Sequence, residues 1–217
     1  METSESIILW DDANGLVDLS GEMTAASVQS QVDIRTRPVI GQQFTQHHVA
    51  RVQYSVTLQR MVDAEDVSAT QQGDSGIGNL AIIHPNSQGL MMHGTWVALP
   101  RRAQRNGFQE YDIPIAQATG SGDFGKLWRI ADADEVVSSG SGTVVAVTPG
   151  VQVFVALISV QRNTQIERDA GAAGSRRLNA GSRTIYSLPP FNNEDSAEIN
   201  VSAGAEGWVL QCEEVEA

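Results

Sequence analysis

Period-two alternation runs through the chain. In SVQSQVDIR, residues 27–35, Val28, Ser30, Val32 and Ile34 fall on one face, with Gln29, Gln31, Asp33 and Arg35 on the other. RVQYSVTLQR, residues 51–60, repeats the pattern with Val52, Tyr54, Val56 and Leu58 against Gln53, Ser55, Thr57 and Gln59. Alternation sustained over this length predicts half-buried strands, because successive side chains of a strand point to opposite faces. Between the two runs lies TRPVIGQQFTQHH, where Pro38 removes a ladder donor and Gly41 permits a tight bend. That segment predicts a long hairpin arm. NLAIIHP, GLMMHGTWVAL and QEYDIPIAQA read as further strands, and VDAEDVSATQQ, about 62–72, as one short, weakly amphipathic helix.

At 119–125 the composition turns to TGSGDFG, after which strand patterns resume in GKLWRIA, GTVVAVT, GVQVFVALISVQ, RTIYSL, SAEINVSA and GWVLQCEEV. ERDAGAAGSRRLNAGS, between two of them, reads as a long loop of small residues. Short strands punctuated by Gly, Pro and Asn predict an all-β fold. The expected architecture is a β-sandwich or barrel with a long hairpin arm and one short helix, then a second, immunoglobulin-like β-sandwich. The boundary is placed near 118–124, giving domains at 1–118 and 119–217.

Composition narrows the function classes. With 217 residues, 6% aromatics and 20 glycines, the chain suits a turn-rich β protein. No apolar run reaches the ~18 residues a membrane helix needs, and METSESIILWDD lacks the basic start of a secretory signal. The single cysteine, Cys212, leaves no internal disulfide and no multi-cysteine metal site, consistent with assembly in a reducing cytosol. Net charge is −12, and each part, 1–118 and 119–217, carries 13 acids and 7 bases. Tight nucleic-acid binding needs clustered cations that release counterions. Arg101, Arg102 and Arg105 in PRRAQRNG come nearest, and read as a solvated loop or subunit contact.

Two stretches resemble catalytic or phosphate-binding signatures. Gly73-Asp74-Ser75-Gly76 matches the surroundings of a trypsin-like nucleophile. A chymotrypsin-like site needs His, Asp and Ser in chain order with separations of roughly 45 and then roughly 95 residues. Here His47 or His48 precedes Ser75 by at most 28, with Asp63 or Asp66 between, which is too compressed for two barrels. Ser75 is therefore read as a loop residue. GSGDFGK, 120–126, fits Gly-x-Gly-x-x-Gly through Gly120, Gly122 and Gly125, and nearly fits a phosphate loop ending at Lys126. Both motifs require a preceding strand and a following helix. Leu127 stands where a hydroxyl should ligate magnesium, so a linker or turn is expected. Adjacent His47 and His48 would point to opposite faces of a strand, while His84 and His93 have no spaced partner. DADE, 132–135, lacks the glycine-containing spacing of a calcium loop and is expected to form a solvated turn. No catalytic residue, cofactor-binding residue or metal ligand is expected.

The order of segments from LVDLSGEMTAASVQSQVDIR to VQYSVTLQRMVDAED resembles the N-terminal half of tailed-bacteriophage tail tube (major tail) proteins. The shared features are an Asp18-Leu19-Ser20-Gly21 turn, an alternating strand, an arm with a glycine near Gly41, and a second alternating strand from Val52 to Asp63. AIIHPNSQGLMMHGTWVALPRRAQRNGFQEYDIPIAQATGSG resembles the closing strands of that family, and the segment from Gly125 resembles an appended β-sandwich of some long-tailed phages. The arm departs from the family's Thr/Phe-Gly-Asp-like stretch, carrying VIGQQF instead.

The resemblance implies a structural virion protein without enzymatic activity or cofactor, forming stacked, hexameric rings through which DNA passes unbound during ejection. It also implies an exterior C-terminal sandwich, and as partners other copies of the chain, a tape measure protein, a tail terminator and distal tail proteins, with no membrane. Inter-subunit contacts are expected from the 35–50 arm, at Arg35, Arg37, Phe44 and His47. The competing expectation is a capsid decoration protein or carbohydrate-binding adhesin, for which the few aromatics (Trp96, Trp128, Trp208) offer little stacking surface.

Overall fold

The computed structural model describes residues 6–38, 45–63, 76–96, 101–103, 108–138, 140–161, 164–168, 176–178, 181–188 and 198–215. Among the described residues the regular elements are sixteen strands and two short 3-10 turns, in accord with the all-β expectation. Among the described residues no helix is long and apolar enough to cross a membrane. The expected helix at 62–72 begins on a strand, since β4 (Thr45–Asp63) runs through Val62 and Asp63. Its remainder falls outside the described residues.

The chain divides into two compact units. The first comprises Met1–Gly21, Gly78–His93 and Gly120–Val215, and the second Glu22–Ile77, Gly94–Thr119 and Glu216–Ala217. One crossing between the units falls at Gly120. The assignment of all of 1–118 to one domain does not match these contacts, because 1–21 and 78–93 belong with the C-terminal residues.

Strand pairing gives the reason. In the first unit β1 (Ile7–Asp12) pairs β2 (Gly15–Asp18) and β5 (Gly76–Ile83), and β6 (Gly89–Trp96) pairs β9 (Trp128–Val136) through Gly89–Met91. With β11 (Gln152–Val160), β14 (Thr184–Leu188) and β16 (Ala205–Glu214), these strands lie in the order β14-β11-β16-β9-β6-β5-β1-β2. The two ends of that row meet: the Leu16 amide donates to the Arg183 carbonyl at 2.9 Å. The row is therefore a nearly closed barrel. Leu9, Leu16, Ala81, Ile83, Met91, Trp128, Ile130, Phe154, Ala156, Ile185, Leu210 and Cys212 fill it, all buried.

The outer side of the β14-β11-β16-β9 wall is covered by a second sheet, β10 (Thr143–Ala146), β15 (Glu198–Val201), β12 (Thr164–Arg168) and β13 (Arg176–Leu178). Val153, Val155 and Leu157 face this second core, with Val145, Ile166, Ile199, Val201 and Val209. β11 is thus buried on both faces, which explains its nearly continuous apolar run. Two of these strands contradict the expected loop at 167–182. Glu167 and Arg168 end β12, and Arg176–Leu178 form β13, so partner strands override the loop-like composition.

In the second unit β3 (Met23–Pro38) pairs β4 from Met23 opposite Arg60 to Pro38 opposite Thr45. β4 also pairs β8 (Phe108–Gln117) from Ser55 opposite Ala116 to Asp63 opposite Phe108. The far side of β8 receives β7 (Arg101–Ala103) at Gln109–Tyr111 and the end of β6 at Ile115–Gln117. Exposed Pro114, which has no amide hydrogen to donate, sits between those two contacts. Val56 lies opposite Ile115 and Leu58 opposite Ile113, and all four side chains are buried.

Candidate assembly edge

The hairpin outruns its sheet. The β4–β8 ladder ends at Ser55 opposite Ala116, and just beyond it the Gln117 side-chain oxygen accepts the Tyr54 amide at 3.3 Å. Past that point Thr45–Tyr54 pairs, among the described residues, only with β3, as a two-stranded ribbon against Ser30–Pro38. Eight residues of strand, Gln31–Pro38, extend for about 25 Å. A two-stranded ribbon is marginally stable alone in water, so one this long favours further pairing or packing.

The other edge of β3 has no strand partner among the described residues along Met23–Pro38. Ala26 to Gln31 are exposed on both faces, and Val28 retains 49% of its surface although Val56 opposite it is fully buried. An edge of this length presents a row of backbone donors and acceptors to which another strand can add. The register also matches the sequence pattern. Val28 lies opposite Val56, Ser30 opposite Tyr54 and Val32 opposite Val52, so the two apolar faces coincide. A register shift between Asp33 and Ile34 then leaves Ala50 without an opposite residue, a bulge of the kind that bends and twists a strand.

Of the expected contact residues, Arg35 and Arg37 lie on the arm at alternate positions of one face, opposite His48 and Gln46. His47 lies opposite Thr36, a position of the other face, so the register does not gather these three on one side. Phe44 falls outside the described residues. The arm also lies in a cationic segment. Between Asp33 and Asp63 the chain carries four arginines, Arg35, Arg37, Arg51 and Arg60, and no acid. This segment is +4 in a chain of −12, so the rest of the molecule carries −16.

The remaining motifs have other roles. Ser75 and Asp66 fall outside the described residues, and Asp63 ends β4. Gly122–Gly125 forms a 3-10 turn, Lys126 is extended, and strand β9 follows, so no helix N-terminus is available to hold a phosphate. The turn is a plug. Phe124 packs against the barrel core with its ring centroid 5.6 Å from that of Phe154, the Asp123 carbonyl accepts Trp128 Nε1 at 2.6 Å, and the Asp123 carboxylate accepts the Ser187 hydroxyl. The glycine spacing follows from close approach: a Cβ on Gly120 would meet the Phe124 carbonyl oxygen at 2.5 Å, and one on Gly125 the Gly120 oxygen at 2.7 Å.

DADE, expected as a turn, lies within β9, where Asp132 pairs with Gln211 and Glu135 with Trp208. Burial and the neighbouring Asp132 charge push the Asp134 carboxyl up, opposed by a hydrogen bond from Gln211. His93 Nδ1 lies 2.8 Å from Asn79 Oδ1, and burial pushes this histidine down; His84 Nδ1 lies 3.1 Å from Ser6 Oγ. Among the described residues no group of three or more His, Cys, Asp or Glu side chains could hold a metal ion.

No protein-family model matches the chain. No curated protein matches it either. Among solved structures, it is similar to the SPP1 Dit (gp 19.1) protein, described as a paradigm of the hub adsorption apparatus in phages that infect Gram-positive hosts. The TM-score is 0.38 at 8% identity, over 97% of this chain and 99% of that one. A likeness at this level fixes neither function nor partner.

Proposed function

We propose that this protein is a structural, non-enzymatic virion subunit of a phage tail, which assembles with copies of itself into stacked, hexameric rings forming the tube for genome ejection. The observation that carries the proposal is the β3–β4 arm: a cationic ribbon reaching past its own sheet, with the β3 edge unpartnered among the described residues. A subunit that joins its neighbours by strand addition needs such an edge and such a reach. A chain that is −16 outside residues 34–62 offers the arm an oppositely charged neighbour, and an acidic lumen would repel DNA in transit. The order of segments that resembles tail tube proteins supports the same reading. The tape measure, tail terminator and distal tail proteins would then be its partners, and the phage tail its location.

Negative-stain electron microscopy of the purified full chain tests the proposal. Tubes or six-fold rings are expected. Persistent monomers, or trimers of the kind a capsid decoration protein forms, would overturn it.

A further inference from the structure

Glu135, Val136, Val137, Ser138, Ile158, Glu206, Gly207 and Trp208 line a groove of about 210 Å³ at one rim of the barrel in the first unit. Its floor is Trp208 and Ile158, both partly exposed and packed from beneath on the barrel core. Its charged groups are two carboxylates. Glu135 is exposed and stands directly across the strand pair from Trp208. Glu206 accepts the Ser138 hydroxyl at 2.7 Å through Oε1, which holds the carboxylate at the groove. Among the described residues no basic or amide side chain lines it.

Two carboxylates beside an indole face select a cation with a flat or apolar body, because ring quadrupole and Coulomb attraction act together at a partly dry site. Arginine fits that description best, since its guanidinium both stacks on aromatic rings and pairs with carboxylates. The groove is smaller than the several hundred Å³ of a typical small-molecule site, and suits one long side chain.

We infer that this groove takes an arginine of the β3–β4 arm, Arg35 or Arg37, from a second copy of the chain. The inference rests on the assembly reading above and adds where the arm docks. Charge complementarity and reach point to the occupant: segment 34–62 carries four arginines and no acid, its ribbon extends past its own sheet, and the groove is an acidic, aromatic seat.

The test uses the full-length protein. Self-association is measured by sedimentation velocity for the wild type, for Glu135→Gln with Glu206→Gln, and for Arg35→Gln with Arg37→Gln. Each double variant should weaken association by roughly tenfold or more, and the wild type should weaken as salt rises. Thermal melts of the variants should overlay the wild type, separating docking from folding. Mixing Arg37→Cys protein with Glu135→Cys protein under mild oxidation should give a mixed disulfide dimer, with buried Cys212 inert.

If the wild type stays monomeric at all concentrations, the assembly reading falls and the docking inference with it. If the wild type assembles but the groove variants assemble equally well and no mixed dimer forms, the docking inference alone is overturned. Tryptophan fluorescence that responds to saccharides through Trp208, and not to arginine amide, would also overturn it.

Discussion

Thr184 holds Asp11 across the seam of the barrel: its hydroxyl lies 3.0 Å from each carboxylate oxygen, while the Ile185 amide donates to Oδ2 at 3.2 Å. These partners join the first strand of the barrel to a strand 173 residues later, where Leu16 also reaches the Arg183 carbonyl. Asp11 is only 6% exposed, so the closure of the barrel depends on a carboxyl that burial disfavours in its charged form.

Removing that carboxyl should loosen the seam. Asp11→Ala leaves the Ile185 amide without its acceptor, and an unsatisfied buried donor costs about 1–3 kcal/mol. The expected outcome is a lower urea midpoint with an unchanged slope. An unchanged midpoint would show that the seam contributes nothing.

The same residue sets a pH dependence. Burial, opposed by the Ile185, Thr184 and Asn79 hydrogen bonds, raises the Asp11 carboxyl above its ordinary 3.8. The folded chain therefore keeps this proton to a higher pH than the unfolded chain, and the contribution to stability falls as pH rises between the two values. Asp11→Asn carries no such titration. Its stability relative to the wild type should improve as pH rises from 3.8 through the raised value, as followed by urea unfolding at a series of pH values.

Overpacking should be felt at Gly89, where β6 meets β5. A Cβ there would lie 1.8 Å from the Ile82 carbonyl oxygen, so the strand must shift. Gly89→Ala should cost at least about 1–3 kcal/mol, visible as a fall in melting temperature. Gly122→Ala meets nothing within 4 Å but has φ +58, so it isolates backbone strain from crowding and should cost about 1–2 kcal/mol.

The exposed edge makes a separable prediction. Val28→Lys places a charge on a side chain that is 49% exposed on β3, a substitution that blocks edge-to-edge pairing. Monomer stability should change by less than about 0.5 kcal/mol, while self-association measured by light scattering should drop by roughly tenfold. Equal assembly of the variant would exclude the β3 edge from the contact.

Cys212 lies fully inside the barrel, and burial pushes its thiol far up. The thiolate is the reactive form. Native protein should therefore resist a chromogenic disulfide reagent, and urea-unfolded protein should react at once at this single cysteine.

Much of the second unit was legible in one dimension. The coincidence of Val28, Ser30 and Val32 with Val56, Tyr54 and Val52 follows from two alternating runs joined by a bend, since the other parity would set the glutamines of β3 opposite the apolar residues of β4. The arm followed from the same runs, with Pro38 and Gly41 between them. Its positive charge could have been found by counting, because residues 34–62 carry four arginines and no acid in a chain of −12. Arg35, Arg37 and His47 were harder to sort, because the bulge after Asp33 breaks simple alternation.

Local pattern alone determined that this chain is all β, that an extended ribbon leaves its sheet near 31–54, and that Gly120–Gly125 is a turn. Period and turn chemistry are properties of neighbours in sequence, so they can be read there. Only the tertiary structure decided that residues 1–21 complete a barrel with residues 120–215, that DADE is strand, and that Arg176–Leu178 pairs within a sheet. Those outcomes depend on which distant strand supplies hydrogen bonds and buries the other face, as Thr184 does for Asp11, and no short window of sequence contains that partner.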